Sequence, residues 1–202
     1  MSEQGSPHPK VAWKSSAPSE DVELVRSQLG YTPTNFHSIA ARCSEIDCGA
    51  CKENHPAAIR LYPLADHSNA YKRKERSSFE MFPTLYWLTC PILKAKVSEL
   101  EASGKIKTFG GILERSKENE AKKLRDAHAA YIKERWDLLV KADRAQLENR
   151  KGWCERLSTV GIASVTDPMC IKCLHAHLAH YLATKENIIG ELTFRELERL
   201  KQ

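Results

Sequence analysis

The sequence predicts an α+β fold in which a small antiparallel sheet packs against several helices, one of them long and highly charged. Two observations carry this prediction. Three short segments rich in strand-forming residues lie in the first half of the chain, and helical periodicity dominates the second half. Strands followed by a run of helices are typical of α+β domains, in which the helices cover a sheet.

The first half of the chain contains a helix and the three strand candidates. Ser19 is a predicted N-cap, acidic residues follow it, and Gly30 ends the first helix. The strand candidates occupy residues 38–43, 57–64 and 84–89. A polar loop with the basic run KRKERSS separates the last two strands, and we interpret that run as a solvated loop.

The second half of the chain is predicted to be helical. Pro91 stands at the first position of a helix that ends at Gly104, and a long charged helix runs over about 116–149. Another helix opens at Asp167 and Pro168 and continues through residue 183. Thr193 and Glu196, three residues apart, have the spacing of a capping box for the last helix.

The composition of this 202-residue chain is that of an ordinary globular protein, with 42% hydrophobic and 28% charged residues. We expect residues 1–18, rich in Ser, Pro and Lys, to form a flexible tail and residues 19–202 to form a single domain. The net charge of +5 is mild because 26 acidic residues are interspersed with 31 basic ones. This charge permits an anionic ligand or nucleic acid as partner and requires neither.

The chain has no apolar run of the roughly 20 residues that a membrane span needs, and its N-terminus lacks the apolar core of a secretory signal. We therefore expect an intracellular protein without a membrane partner, cytoplasmic by default, with an organelle address left open. Seven cysteines without a signal peptide point to reduced thiols, metal ligands or a reactive cysteine rather than to disulfides.

The cysteines allow two groupings. Two CxxC pairs, Cys48 with Cys51 and Cys170 with Cys173, have a spacing that suits zinc, but more than a hundred residues separate the pairs. The other grouping combines Cys43 at a strand end, Cys90 at a helix start and Cys173. A cysteine at a helix start is favoured as thiolate by the helix dipole, and thiolate is the form that binds a metal or attacks an electrophile.

Three histidines follow Cys173 closely in the segment KCLHAHLAH. On a helical wheel His177 and His180 share a side with Cys173, whereas His175 reaches a metal only if the helix begins near it. On the long helix, His128 and Arg135 take seam positions where apolar residues are expected. Either Arg135 lies along the surface or pairs with an acid of the helix, or both residues line a polar pocket that faces the cysteines.

Several segments together resemble the uncharacterised family catalogued as domain of unknown function 501. The resemblance extends from about residue 25 to residue 190, and its most distinctive segments are FPTLYWLTCP and KCLHAHLAH. It implies no established activity, and it favours Cys43, Cys90 and Cys173 over the paired CxxC grouping. The residues it marks are Arg42, Cys43, Phe82, Pro83, Thr84, Cys90, His128, Tyr131, Arg135, Lys172, Cys173, His175 and His180.

The leading hypothesis is a metal-binding protein with zinc or an iron–sulfur cluster as cofactor. Its predicted ligands are Cys43, Cys90, Cys173 and His175. Its cationic pocket would hold a small anionic ligand; the predicted pocket residues are Arg42, His128, Arg135, Lys172 and His180.

Two other function classes stay open. One is a metal-free enzyme with Cys173 or Cys90 as nucleophile and a histidine as base. The other is an RNA- or protein-binding adaptor that uses the basic loop and tail. It ranks last because a short run of lysines and arginines is usually a solvated loop.

Overall fold

The computed structural model describes residues 10–46, 48, 55–66, 79–116 and 118–201, and this part of the chain has the predicted α+β fold. Among the described residues there are five short strands and eight α-helices. The strands are β1 (Phe36–Arg42), β2 (Pro56–Leu61), β3 (Leu64–Asp66), β4 (Phe79–Met81) and β5 (Tyr86–Leu88). The helices are α1 (Ser19–Leu29), α2 (Pro91–Ala102), α3 (Lys105–Arg115), α4 (Asn119–Leu138), α5 (Lys141–Glu148), α6 (Trp153–Thr159), α7 (Leu174–Thr184) and α8 (Ile188–Arg199).

The main sheet has the strand order β1-β2-β5, and both outer strands run antiparallel to β2. Strands β1 and β5 therefore run in the same direction and end at the same edge of the sheet, which is the edge where β2 begins. Helix α7 packs against all three strands and against α8. The three predicted strands correspond to β1, to β2 with β3, and to β5; strand β4, which pairs with β3, was not predicted.

The first two predicted helix starts are close to those observed. Helix α1 spans Ser19–Leu29, although Pro18 rather than Ser19 takes the N-cap position. Gly30 ends the helix with a φ of 80°, a left-handed conformation that glycine adopts without steric cost. Helix α2 begins at Pro91, as its missing N–H and restricted φ favour.

Three predicted helix boundaries were wrong. The long helix is interrupted at Leu139 and Val140, where extended backbone separates α4 from α5. Helix α7 begins at Leu174 rather than at Asp167. Thr193 lies buried inside α8 and donates a hydrogen bond to the carbonyl of Ile189, so it is not a cap. None of the helices in the described part of the chain is long and apolar enough to cross a membrane.

Part of the predicted tail packs against the domain. Val11 is buried, and the Trp13 ring stacks on Tyr62 with the ring centroids 4.4 Å apart. The backbone N–H groups of Ala12 and Trp13 donate to the carboxylate of Asp143 at 2.7 and 3.1 Å. Contact with the domain therefore begins before residue 18, because a buried acceptor on α5 attracts the backbone of this segment.

Asp143 is fully buried, and its carboxylate accepts hydrogen bonds from several donors. Tyr62 donates its hydroxyl to Asp143 at 2.7 Å, and Gln146 donates its side-chain amide at 3.2 Å. The Tyr62 hydroxyl accepts in turn from the backbone N–H of Val140 at 3.1 Å. This network holds the N-terminal segment, the end of β2 and the α4–α5 turn together, and the sequence patterns did not indicate it.

Replacing Asp143 by alanine leaves two backbone N–H groups and a tyrosine hydroxyl without their acceptor. We expect the free energy of unfolding to fall by about 2–4 kcal/mol, since each stranded buried donor costs about 1–3 kcal/mol. Urea titration measures this loss, and limited proteolysis should cut near residue 13 faster than in the wild type. Tyr62→Phe removes one donor to Asp143 and leaves one backbone N–H, that of Val140, without its acceptor, so it should lose less. An Asp143→Ala protein with an unchanged free energy of unfolding would contradict the assigned role.

Candidate functional site

Three buried cysteines form one group in the structure. The Sγ atoms of Cys43, Cys48 and Cys90 all lie within 4.8 Å of one another. Each of the three residues is no more than 3% exposed. The group is close enough to bind a metal ion.

The sheet topology brings these cysteines together. Cys43 follows the last residue of β1 and Cys90 follows β5 by two residues, so both stand at the edge where β2 begins. The backbone N–H of Cys43 donates to His55 and that of Cys90 donates to Ala57, which fixes both positions against the start of β2. Cys48 lies on the connection from β1 to β2, close to the same edge.

The local environment keeps the three thiols out of water. Cys90 is the N-cap of α2, and its sulfur accepts a hydrogen bond from the backbone N–H of Leu93 at 3.4 Å. Burial raises the pKa of the Cys43 thiol, and the neighbouring Cys90 and Cys48 raise it further. A bound cation reverses this preference, because a thiol that coordinates a metal is deprotonated.

Cys173 and His175 do not join that group. They form a second group with Glu101, in which the three ligand atoms also lie within 4.8 Å of one another. The four metal ligands predicted from the sequence are therefore divided between two places. The reason is that the connection between β1 and β2 brings Cys48 beside Cys43, whereas Cys173 stands at the start of α7 next to the end of α2.

A cavity of about 490 Å³ opens beside the second group. Lys172, Cys173 and His175 line it from the start of α7, and Lys94 lines it from α2. Its apolar and aromatic lining is contributed by Leu29, Tyr31, Tyr86, Trp87 and Leu88. Of the predicted cationic ligand-binding residues, Lys172 lies at this cavity.

The two predicted ligand-binding arginines have protein partners. Arg42 forms an ion pair with Asp21 of α1, with Nη2 and Oδ1 2.7 Å apart. Arg135 is fully buried and donates to the carbonyls of Leu157, Val160 and Pro83 at 2.5 to 2.9 Å. Arg135 thus neither lies on the surface nor pairs with an acid, because carbonyls at and just beyond the C-terminal end of α6 accept its donors.

His128 and His180 lie in a buried histidine cluster together with His177. The rings of His128 and His177 meet edge to face at 5.8 Å, and His180 packs against Tyr131. Burial lowers the pKa of all three imidazoles, to about 4 for His128, about 3 for His177 and about 4 for His180. The seam predicted on the long helix is confirmed for Leu124, His128, Tyr131 and Arg135, which are buried on α4; its last two predicted members, Leu138 and Ala142, are half-buried and exposed, respectively.

Asn187 and Gly161 hold this cluster in place. The Asn187 side-chain amide donates to Nδ1 of His180 at 3.0 Å, and its oxygen accepts from the backbone N–H of Gly190 to cap α8. The His128 Nδ1 accepts from the N–H of Ile162 at 3.0 Å, and the same imidazole packs so close to Gly161 that a Cβ would collide with it. The cluster lies in the core, and among the described residues the Nε2 atoms of His128 and His177 have no hydrogen-bond partner.

The comparison with protein families decides what the chain is related to. The model of the family described as Protein of unknown function (DUF501) matches residues 48–195. The chain belongs to this family. The match confirms the resemblance found in the sequence, and no curated protein and no solved structure matches the chain.

The match to the DUF501 family includes most of the sites described above. Cys48, Cys90, Cys173 and His175 lie within it, and Cys43 lies just before its first residue. The ligand set predicted from the sequence did not include Cys48, which appeared only in the CxxC grouping, or Glu101. The CxxC spacing was the available signal for Cys48, whereas Glu101 carried no signal, since a lone acid near a helix end is usually a surface residue. Cys51 and the basic run over 72–78 lie outside the described residues.

The histidine cluster predicts a pH dependence of stability. Above the ordinary histidine pKa of 6.5 both folded and unfolded chains are neutral at these positions. Below it the unfolded chain binds protons that the folded chain does not, down to the folded pKa values near 4 and 3. The free energy of unfolding should therefore fall by about 1.4 kcal/mol per pH unit for each histidine as the pH drops from 6.5.

Urea unfolding at several pH values between 7.5 and 4.5 measures this slope. His180→Gln should reduce the slope by the contribution of one histidine, about 1.4 kcal/mol per pH unit, relative to the wild type. A free energy of unfolding that stays constant across this range would contradict the neutral buried cluster.

Proposed function

We propose that the protein is a metal-binding protein that holds one zinc ion with the thiolates of Cys43, Cys48 and Cys90. The observation that carries the proposal is the convergence of three buried sulfurs, within 4.8 Å of one another, from separate parts of the chain. Buried free cysteines are often plain small hydrophobes, but three that converge at one point present a donor set that soft metals prefer.

The sulfur spacing favours a single ion over an iron–sulfur cluster. Zinc–sulfur bonds of about 2.3 Å place two thiolates of a tetrahedral site about 3.8 Å apart. The three Sγ atoms reach that spacing with small side-chain adjustments, since none of their separations exceeds 4.8 Å. The cysteines of a four-iron cluster bind different irons, and their sulfurs must stand further apart than those around one ion.

The burial of the site supports a structural role for the metal. A closed site with protein ligands contributes folding energy, whereas a catalytic zinc keeps an open position for substrate. The ion would link the end of β1, the connection after it and the start of α2. By its CxxC spacing with Cys48, the sequence offers Cys51 as the fourth ligand of a tetrahedral ion.

Metal content of the purified full-length chain tests the proposal. We expect about one zinc per chain by inductively coupled plasma mass spectrometry, with the protein purified anaerobically so that an iron–sulfur cluster would survive. Cobalt in place of zinc should give the intense visible bands of tetrahedral thiolate coordination. Because zinc binds the folded state, its removal by a chelator should also lower the melting temperature.

Single serine variants locate the ion. Cys43→Ser, Cys48→Ser and Cys90→Ser should each lower zinc retention at least about tenfold after dialysis, and Cys51→Ser tests the fourth ligand. Cys154→Ser is the matched control, because Cys154 is a partly buried cysteine in another part of the core. A chain without stoichiometric metal, or zinc lost only in Cys173→Ser and His175→Ala, would contradict this site.

A further inference from the structure

Cys173, His175 and Glu101 are arranged as a nucleophile, a proton carrier and a carboxylate that orients it. Cys173 is the partly exposed N-cap of α7, and its sulfur lies within 4.8 Å of a ring nitrogen of His175. The His175 Nδ1 lies 3.2 Å from Oε1 of Glu101. The same oxygen accepts the backbone N–H of Leu174 at 2.6 Å, so Glu101 anchors both the helix start and the imidazole.

The surroundings of His175 suit a protonated imidazole. Its Nε2 lies 3.2 Å from the carbonyl oxygen of Lys94, so both ring nitrogens have an oxygen acceptor within reach. The neighbouring Cys173 and Glu101 side chains raise the pKa of His175 to about 9. The Cys173 sulfur thus stands at the N-terminus of α7 beside an imidazole that carries a positive charge, which is the kind of environment in which reactive cysteines are found.

The cavity beside Cys173 defines what could reach the sulfur. Lys94 and Lys172 line it and supply positive charge, while Tyr31 and Trp87 are among its aromatic lining residues. Its volume of about 490 Å³ is that of a small-molecule site rather than of a groove for a protein. Positive charge, an aromatic lining and this volume together fit a small organic molecule with one anionic group.

We propose that Cys173 is the nucleophile of a site for small anionic acyl compounds, with His175 as proton carrier and Glu101 as a positioning residue. The site lies apart from the three buried cysteines, and it does not depend on the proposed zinc ion.

The reaction step follows from these groups. The Cys173 sulfur donates an electron pair to the acyl carbon and forms a thioester, and the bond from that carbon to the leaving oxygen breaks. The leaving oxygen keeps the electron pair of the broken carbon–oxygen bond and takes the proton from the His175 imidazolium, which becomes neutral. The lysines bind the anionic group and place the acyl carbon near the sulfur.

Alkylation of the full chain with iodoacetate and iodoacetamide, followed by peptide mass spectrometry, tests the nucleophile. The C–S bond forms as iodide leaves, and the two reagents differ mainly in charge. Cys170, exposed and three residues earlier, is the internal control. We expect Cys173 to react about tenfold faster than Cys170, and to favour iodoacetate over iodoacetamide more than Cys170 does.

Variants separate the roles of the neighbouring groups. Lys172→Gln should reduce the preference for iodoacetate at Cys173, because Lys94 and His175 still supply positive charge, and should slow iodoacetate more than iodoacetamide. His175→Gln should slow both reagents. Glu101→Gln removes a contact that raises the pKa of His175, so it should lower that pKa in an NMR titration. Acetyl phosphate, a small anionic acyl donor, should acetylate Cys173 in the wild type and not in His175→Gln.

Three outcomes would overturn the proposal. Equal alkylation rates at Cys173 and Cys170 in the wild-type protein would show that Cys173 is not an activated nucleophile. If Cys173 and Cys170 show the same preference between iodoacetate and iodoacetamide, the cavity does not favour an anionic ligand. Alkylation of Cys173 that begins only after a chelator is added would assign Glu101, Cys173 and His175 to a metal ion instead.

Discussion

The antiparallel pairing of β1 and β5 with the central strand β2 is the constraint on which the candidate metal site depends. Because both outer strands run against β2, they end at one edge of the sheet, and Cys43 and Cys90 are brought to that edge by backbone hydrogen bonds. Residues separated by nearly fifty positions thus become neighbours. Cys48 joins them because it lies on the connection between β1 and β2, and this connection begins and ends at the same edge.

Helix α7 connects this sheet to the second group of polar residues. Its buried face carries His177 and His180 against the core, where Asn187 provides polar contacts that a fully buried imidazole needs. Its first residues stand beside α2, so Cys173 and His175 meet Glu101 there. The helix therefore separates two kinds of histidine, neutral ones in the core and one that is held by a carboxylate at a cavity.

The sequence predicted the helices whose ends carry clear local signals. Its predictions were wrong where tertiary contacts determine a helix end or the choice of a ligand. Gly30 and Pro91 are local signals, and the helices next to them were predicted closely. The interruption at Leu139 and Val140 was missed, because apolar residues there continue the helical pattern while Tyr62 binds the backbone of the break. The pairing of Cys43 with Cys90 was found, but Cys48 could not be chosen over Cys173 without knowing the path between β1 and β2.

The zinc ion is the central claim, and X-ray absorption at the zinc edge of anaerobically purified wild-type protein tests it most directly. The proposed site predicts about one zinc per chain with at least three sulfur neighbours at about 2.3 Å. A first shell of nitrogen and oxygen only, or iron with iron neighbours in place of zinc, would contradict a single ion held by Cys43, Cys48 and Cys90.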